Sequence, residues 1–212
     1  MKKTMKIFIV IIILLLIEVF KLTAPTLNCI DEKKIILVKN YAEQIRYKEE
    51  LDLFCNQIDY DESRNNWLEI NKIGAFGAPQ FMTKTLKGLG YGHITLRKFK
   101  KDPNIFPPEL QREVLKALIE SNTVVMDRYI RKYEGFEIIN VSYYDMNPMR
   151  DCTEIVKITK AGILAACHLG GPKSVRLYLD SGGKINKKDL FRTSIEDYIK
   201  KYSHFNLNLK IY

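Results

Sequence analysis

The sequence is short of the features that mark several common classes of protein. It has four cysteines in 212 residues, and no two of them form a CxxC pair, so a zinc-binding module is not indicated. It contains no internal repeat and no low-complexity tract, which argues against a solenoid and against a disordered chain. Strand-like alternation is sparse. What remains is an ordinary globular composition, 46% hydrophobic and 28% charged, which with the helical periodicity below predicts a mostly α class.

A long apolar run occurs at the N-terminus. Residues 7–17 are unbroken apolar sequence and follow Lys2, Lys3 and Lys6. A basic start before a short apolar run is typical of a secretory signal, and the run is shorter than the roughly 20 residues that cross a membrane. We therefore predict that residues 1–24 are a signal peptide cleaved after Ala24, with an uncleaved membrane anchor as the alternative. The protein is expected in the periplasm or cell envelope.

The charge balance is basic. Residues 1–24 contain four lysines and one glutamate, so their removal lowers the net charge from +9 to +6. A basic exported protein suits anionic wall polymers or membrane surfaces, because attraction raises the local concentration of substrate. Nucleic acid is the competing partner, but the export signal and the lack of a concentrated basic run weigh against it.

The cysteines leave two questions open. An exported chain permits one or two disulfides among Cys29, Cys55, Cys152 and Cys167, and their pairing does not follow from sequence. Cys29 is also a candidate for lipid modification, although Asn28 before it is larger than the small residue that such sites favour. Cys167 lies in an apolar helical stretch and is predicted to be a buried small residue.

Helical periodicity organises the chain. Residues 33–58 are predicted to be helical, and residues 63–80, rich in Asn, Gly and Pro, to be loops. The clearest helix begins after Pro107-Pro108 and ends at Gly135. Its predicted core-facing residues recur at spacings of four or seven: Leu110, Val114, Leu118, Val125, Tyr129 and Tyr133.

The C-terminal part is predicted to be helical after a loop excursion or short hairpin over residues 136–158. Thr159 is placed to cap a helix over residues 160–169, and Pro172 to begin the next. Thr193 and Glu196 fit a capping box for the last helix. The buried face of that helix is expected to carry Ile195, Tyr198, Ile199 and Tyr202.

The chemistry is predicted to lie in residues 61–81. Glu62 ends an apolar helix and is followed by short polar residues and a Gly-rich turn. A carboxylic acid in a partly apolar pocket retains its proton near neutral pH, and such an acid donates to the leaving oxygen when a glycosidic bond is cleaved. A glutamate at a helix end is by itself more often a solvated surface group, so the surrounding pattern decides.

Three blocks carry that pattern in order: Glu62-Ser63, residues 74–81 followed by Thr85, and residues 164–175. Together they resemble the lysozyme-like superfamily, especially the soluble-type lytic transglycosylases and related bacterial and phage cell-wall lysins. The closing segment resembles a subgroup of wall lysins through Asp189, Phe191, Thr193, Ser194 and Tyr198. The resemblance covers residues 51–203.

The resemblance implies a lysozyme-like single domain over residues 51–212, with loop excursions, after a leading helical segment over residues 25–50. It implies cleavage of the MurNAc–GlcNAc bond of peptidoglycan by a lyase reaction. In it Glu62 first protonates the glycosidic oxygen and then, as base, lets the MurNAc 6-hydroxyl close a 1,6-anhydro ring. No metal or organic cofactor is implied.

Two alternatives stay open. A hydrolytic muramidase on the same fold needs a positioned water and a second carboxylate. Asp59, Asp61 and Glu69 are the candidates near in sequence, and no spacing singles one out. The other alternative is a noncatalytic peptidoglycan-binding envelope protein.

Further residues are predicted to bind the substrate. Gln80 offers an amide to a sugar hydroxyl or N-acetyl group, or stabilises its own turn, and Phe81 is placed beside it. Ser63 is a candidate hydrogen-bond partner of the acid or a simple helix-end hydroxyl. Trp67, the only tryptophan, stacks on a sugar ring or fills the core. His168 is either a core histidine or a group whose charge changes near neutral pH.

The sequence also departs from the family pattern. Cys167-His168 replaces the family's Tyr-Asn pair, whose tyrosine helps to orient the catalytic acid, and Tyr143 or Tyr144 is the proposed substitute. Arg64 replaces a common Gly, and Ala78-Pro79 replaces a common Lys-Tyr pair. Residues 140–157 look like an insertion and are a candidate lining of the cleft.

Overall fold

The structure is a computed structural model that describes residues 32–142 and 152–208. Within them it confirms the mostly α class, with six α-helices and one two-stranded hairpin. The elements are α1 (Glu32–Ser63), α2 (Thr83–Gly88), α3 (Leu96–Lys101), a 3₁₀ helix (Pro103–Ile105), α4 (Pro108–Tyr133), β1 (Glu137–Ser142), β2 (Cys152–Lys157), α5 (Lys160–Asp180) and α6 (Ile195–Tyr202). The predicted signal segment, residues 1–24, lies outside the described residues. No helix within them has both the length and the apolarity to cross a membrane.

The chain divides into two compact units, and the larger one is Ile45–Leu209. Helix α1 begins before this boundary, where Ile36 and Tyr41 are exposed. After the boundary the same helix carries a buried apolar face, which includes Leu51, Phe54 and Ile58. The part of α1 that leads to Glu62 is therefore anchored in the core of the larger unit.

Helix α4 has the predicted bounds, and all but one of its predicted core-facing residues lie in or against the core. Pro108 stands in its first turn and Gly135 follows its end at φ 85°, as the sequence indicates. The prediction that Val125 faces the core is wrong, because this side chain is 46% exposed. The buried residues are Gln111, Val114, Leu115, Ile119, Asn122, Met126 and Ile130. The other predicted residues, Leu110, Leu118, Tyr129 and Tyr133, are partly buried and pack against the core. The apolar periodicity therefore finds most of this face and misses its two buried polar residues.

Residues 137–142 and 152–157 form a hairpin, which confirms the hairpin alternative for this region. The strands are antiparallel, with Glu137 opposite Lys157 and Ser142 opposite Cys152. Val156 is buried, whereas Ile139 and Ile155, opposite each other, are exposed. Tyr143 and Tyr144 lie outside the described residues.

Helix α5 is broken where the sequence predicts a boundary. Thr159 caps its start and accepts a hydrogen bond from the Gly162 amide at 3.1 Å. Gly171 has a φ of 74°, and Pro172 begins the second half of the helix, since proline lacks an N–H and suits a first turn. A Cβ at Gly162 would lie 2.7 Å from the Ile199 carbonyl oxygen. Glycine therefore lets α5 and α6 approach closely.

The capping box of α6 lies one residue later than predicted. The Ser194 hydroxyl accepts from the Asp197 amide at 3.1 Å, and the Asp197 carboxylate accepts from the Ser194 amide at 2.8 Å. Thr193 is not the cap, because its amide is bound by Asp189 at 2.8 Å. Glu196 instead accepts a buried hydrogen bond from Tyr178 at 3.1 Å. The predicted buried face of α6 is confirmed: Ile195, Tyr198, Ile199 and Tyr202.

Candidate active site

The end of α1 positions Glu62. The helix closes with a hydrogen bond from the Arg64 amide to the Tyr60 carbonyl, which is the bond of an αL C-cap, and the Asn65 amide donates to the Asp59 carbonyl. Arg64 has a φ of 59°, in the left-handed region that favours glycine, which accounts for the glycine expected here from the resemblance. Its guanidinium lies 4.6 Å from the centre of the Tyr60 ring, a contact that offsets part of the strain.

Three helices meet at the Glu62 carboxylate. Its side chain is 19% exposed. The Tyr198 hydroxyl, from α6, donates a hydrogen bond to Oε1, and His168 Nε2, from α5, lies 3.8 Å from the same oxygen. Burial, and then the negative charge of Glu62, raise the pKa of Tyr198. The phenol therefore stays protonated and serves as a fixed donor to Oε1.

Glu62 lines a cleft of about 360 Å³. Residues from five parts of the larger unit contribute to it: the end of α1, residues 71–85, helix α4, helix α5 and residues 189–191. Its polar side chains are Glu62, Asn71, Gln80, Thr85, Asn122, His168 and Asp189. Its apolar side chains include Phe81, Leu190 and Phe191. The mixture of amide, carboxylate and apolar surface is typical of small-ligand sites.

A buried glutamine holds the loop that leads into the cleft. Gln111 is 1% exposed; its Oε1 accepts from the Ala78 amide at 2.6 Å, and its Nε2 donates to the carbonyls of Phe106 at 2.7 Å and Trp67 at 3.0 Å. Gly77 has a φ of 82°, and a Cβ there would lie 2.8 Å from Gln111 Oε1. The glycine is therefore required by both backbone conformation and close approach. The sequence does carry a signal for this loop-holding role, which is a glutamine among the apolar residues of α4.

Gln80 and Phe81, two of the predicted substrate-binding residues, both line the cleft. Gln80 Nε2 donates to the Gly77 carbonyl at 2.7 Å, so the amide does stabilise its own turn. Its Oε1 is buried and has no hydrogen-bond partner among the described residues, which leaves an acceptor for a ligand. Phe81 is 2% exposed and contacts the His168 ring edge-on, with centroids 6.0 Å apart.

Two other predicted site residues lie elsewhere. The Ser63 hydroxyl donates to the Asp59 carbonyl at 3.2 Å and is a helix-end group. Trp67 is half-buried, and neither residue is among the described residues that line the cleft. Tyr143 and Tyr144, the proposed substitutes for the orienting tyrosine, lie outside the described residues, and the tyrosine whose hydroxyl binds Glu62 is Tyr198. Sequence reasoning missed this contact, although a buried phenol needs a hydrogen-bond partner.

The candidate second carboxylates are also engaged elsewhere. None of the three lines the cleft. Their nearest recorded partners are Arg112 for Asp59, Lys201 for Asp61 and Asn66 for Glu69. The carboxylate that shares the cleft with Glu62 is Asp189, whose Oδ1 accepts from the amides of Phe191 and Thr193.

Comparison of the chain with protein-family models, with curated proteins and with solved structures finds no match. The class of the protein is therefore defined by its fold as mostly α. Its function has to be inferred from the side chains around Glu62.

Replacing Tyr198 with phenylalanine tests the hydrogen bond to Glu62. If Glu62 is the catalytic acid that the resemblance implies, we expect cleavage to slow by about 10- to 100-fold, since displacing a catalytic group slightly has effects of this size. The matched control is Tyr202→Phe, one turn further along α6, which removes a similar hydrogen bond to Asp61. It should lower the free energy of unfolding comparably, by about 1 kcal/mol, and leave the rate within a few-fold. Equal rate losses in the two variants would contradict a specific role of Tyr198.

Asp59 gives a pH-dependent prediction for stability. Burial, partly offset by Arg112, raises its pKa from 3.8 to about 6. The folded state then holds this proton more tightly than the unfolded state, so ionisation destabilises the fold as the pH rises from 4 to 7. Asp59→Asn cannot ionise. We expect the free energy of unfolding of the parent, minus that of the variant, to fall by up to about 3 kcal/mol over this range. Urea unfolding at four pH values measures it, and a constant difference would contradict the shift.

Proposed function

We propose that this protein is a lytic transglycosylase that cleaves the MurNAc–GlcNAc bond of peptidoglycan, with Glu62 as general acid and then general base. The observation that carries the proposal is the placement of Glu62 in the cleft, with Oε1 held by the Tyr198 hydroxyl. A carboxyl group with one oxygen fixed as an acceptor carries its acidic proton on the other oxygen, Oε2. No hydrogen bond from a described residue to Oε2 is recorded.

The chemistry needs only this one carboxyl group. Glu62 Oε2–H donates its proton to the glycosidic oxygen as the bond to MurNAc C1 breaks. The resulting carboxylate takes the proton of the MurNAc 6-hydroxyl, whose oxygen bonds to C1 and closes the 1,6-anhydro ring. Glu62 is protonated again at the end, so the acid is regenerated without a water molecule.

The rest of the cleft suits an amino sugar. Asn71, Asn122 and the unpaired Gln80 oxygen offer neutral donors and acceptors for hydroxyl and acetamido groups. Phe191, 59% exposed, and Leu190, 76% exposed, give the cleft rim an apolar surface for the face of a sugar ring. The predicted export signal and basic charge are consistent with a wall polymer as substrate.

Asp189 favours one alternative, a hydrolytic muramidase on the same site. This second carboxylate lines the cleft with Glu62, and a hydrolase uses such a group as a base for water or as a nucleophile. In that case Glu62 remains the acid, and Asp189 becomes essential.

Digestion of purified peptidoglycan by the full-length chain, with products separated by mass, tests the proposal. Anhydro-muropeptides are the expected products. Reducing-end muropeptides, heavier by one water, would replace the transglycosylase by the muramidase. Binding to the polymer without any soluble product would reject both enzymes and leave a noncatalytic wall-binding protein.

A further inference from the structure

We propose that Asn122 is a specificity-determining residue that binds the acetamido group of one sugar of the strand, so that the cleft accepts N-acetylated glycan and rejects glycan whose amino groups are free. The proposal rests on the proposed function and extends it from the bond that is cleaved to the substituent that the sugar must carry. Asn122 lies on α4, outside the three blocks that carry the resemblance.

Helix α4 has two buried polar side chains, Gln111 and Asn122, and they differ in how their amides are paired. Gln111, 1% exposed, binds the three backbone groups described above. Asn122 is 5% exposed and lines the cleft, and no hydrogen bond of its side-chain amide to a described residue is recorded. Because buried polar groups are nearly always paired, the partner of Asn122 is expected to come from the cleft, as water in the free protein and as a substrate group in the complex.

A second unpaired group matches the other half of an acetamido group. Gln80 lines the same cleft, and its Oε1 is buried without a hydrogen-bond partner among the described residues. An acetamido group has one N–H donor and one carbonyl acceptor, like any secondary amide. In the proposed complex Asn122 Nδ2 donates to the carbonyl, and Gln80 Oε1 accepts from the N–H. One ligand group therefore satisfies both unpaired side chains.

The neighbours of Asn122 in the cleft suit the methyl end of the acetamido group. Leu118, one turn earlier on α4, and Cys167, on α5, line the same cleft. Burial raises the pKa of the Cys167 thiol to about 12, so this side chain is neutral and behaves as a small apolar group. An apolar wall accommodates a methyl group, whereas a protonated amine beside it would lose water and gain no acceptor.

A free amino group lacks the carbonyl that Asn122 is proposed to bind. The Nδ2 donor of Asn122 then has no acceptor from the substrate, and sites built around such a hydrogen bond reject the analogue that lacks it. The carboxylates of Glu62 and Asp189 line the same cleft and act in the opposite direction, because they attract a protonated amine. A comparison of acetylated and free-amine strands therefore separates a cleft governed by Asn122 from one governed by its carboxylates.

The kinetic test uses the full-length chain and three forms of one peptidoglycan preparation: untreated, chemically de-N-acetylated, and de-N-acetylated and then re-acetylated. We expect the parent to cleave the untreated form at least about tenfold faster than the de-N-acetylated form, and re-acetylation to restore the rate. Asn122→Leu has a similar volume and should reduce this preference to about twofold or less. Thr123→Val is the matched control, since the Thr123 hydroxyl donates to the Ile119 carbonyl of its own helix and lies outside the cleft lining. It should keep the preference.

Folding stability distinguishes a ligand-binding asparagine from a structural one. Replacing an unpaired polar group by an apolar group of similar size is nearly neutral or stabilising, so Asn122→Leu should keep or raise the urea midpoint. Asn122→Ala removes the amide without adding bulk, and it should lose the preference in the same way if the leucine variant does not fold. A lowered midpoint of Asn122→Leu, with rates that fall equally on acetylated and free-amine strands, would overturn the proposal.

Binding measures the same selectivity without cleavage. Tetrasaccharides of N-acetylglucosamine and of glucosamine are titrated by calorimetry into full-length Glu62→Gln and into the double variant with Asn122→Leu. We expect the acetylated sugar to bind at least about tenfold more tightly than the free amine to Glu62→Gln, and this difference to disappear in the double variant. Selective binding without cleavage of peptidoglycan by the parent would support the role of Asn122 and reject the proposed enzyme. Cleavage without selectivity, or with a preference for free amines, would overturn the role of Asn122 and leave the enzyme.

Discussion

Replacing Glu62 with glutamine is expected to lower the rate of peptidoglycan cleavage by about a thousandfold or more, because general acid–base catalysis contributes about 10² to 10⁴ and Glu62 serves in both steps. Glutamine has nearly the same size, and its amide oxygen still accepts from the Tyr198 hydroxyl. It neither donates a proton to the glycosidic oxygen nor removes one from the 6-hydroxyl. The initial rate of release of soluble muropeptides measures the effect.

Two further substitutions make this result specific. Glu69→Gln removes a carboxylate from the same stretch of chain, one that binds Asn66 at 2.8 Å outside the cleft, and should keep the parent rate within a few-fold. Asp189→Asn retains an oxygen for the amides of Phe191 and Thr193. It should also stay active in a transglycosylase and lose activity in a muramidase that uses Asp189.

A Glu62→Gln variant within tenfold of the parent rate would remove Glu62 as the acid. The folding of this variant is checked by thermal unfolding, where we expect a change within about 1 kcal/mol, the size of one exchanged hydrogen bond. A large loss of stability would instead mean that the carboxylate is structural. The conclusion then shifts to Glu62 as part of the packing between α1 and α6.

The sequence predicted the elements whose signals are local. Pro108 and Gly135 bound α4, and Thr159 caps α5, since these residues act on their own turn of chain. Two predictions about the helices were wrong: Val125 as a core residue of α4 and Thr193 as the cap of α6. In both cases the local sequence pattern was ambiguous. Thr193 with Glu196 and Ser194 with Asp197 are overlapping candidates for a capping box in the sequence. In the structure the box is Ser194 with Asp197, while the Thr193 amide donates to Asp189 Oδ1.

The site was predictable where its residues belong to a sequence motif. Glu62, Gln80 and Phe81 follow from a motif, whereas Tyr198 lies 136 residues from Glu62 along the chain. Such a contact is created by the packing of α6 on α1 and has no local signature. Ser63, one position after Glu62 on α1, leaves the face that Glu62 occupies. Trp67 lies in a turn beyond the end of this helix.

The second large effect is expected from Gln111→Ala, on stability. The substitution leaves the Ala78 amide and the carbonyls of Phe106 and Trp67 without the partner that each now has. Unpaired buried groups cost about 1–3 kcal/mol each, and water that enters the space recovers part of this. We expect the free energy of unfolding in urea to fall by about 3 kcal/mol. Gln57→Ala, which removes one partly buried hydrogen bond to Asp61, is the control and should cost about 1 kcal/mol.

Gln111→Ala should also lower the cleavage rate by more than the fraction of unfolded protein accounts for, because Gln111 holds the loop that leads to Gln80.

A double-mutant cycle with Gly77→Ala isolates the contact between Gln111 and Gly77. When Gln111 is present, the Cβ of Gly77→Ala would lie 2.8 Å from Gln111 Oε1, and the alanine would have to adopt a φ of 82°. In the Gln111→Ala background only the backbone strain remains, about 1–2 kcal/mol. We expect a coupling of about 1 kcal/mol or more between the two positions. Additive losses would mean that Gln111 and Gly77 act independently, and that the loop is held by its own turn.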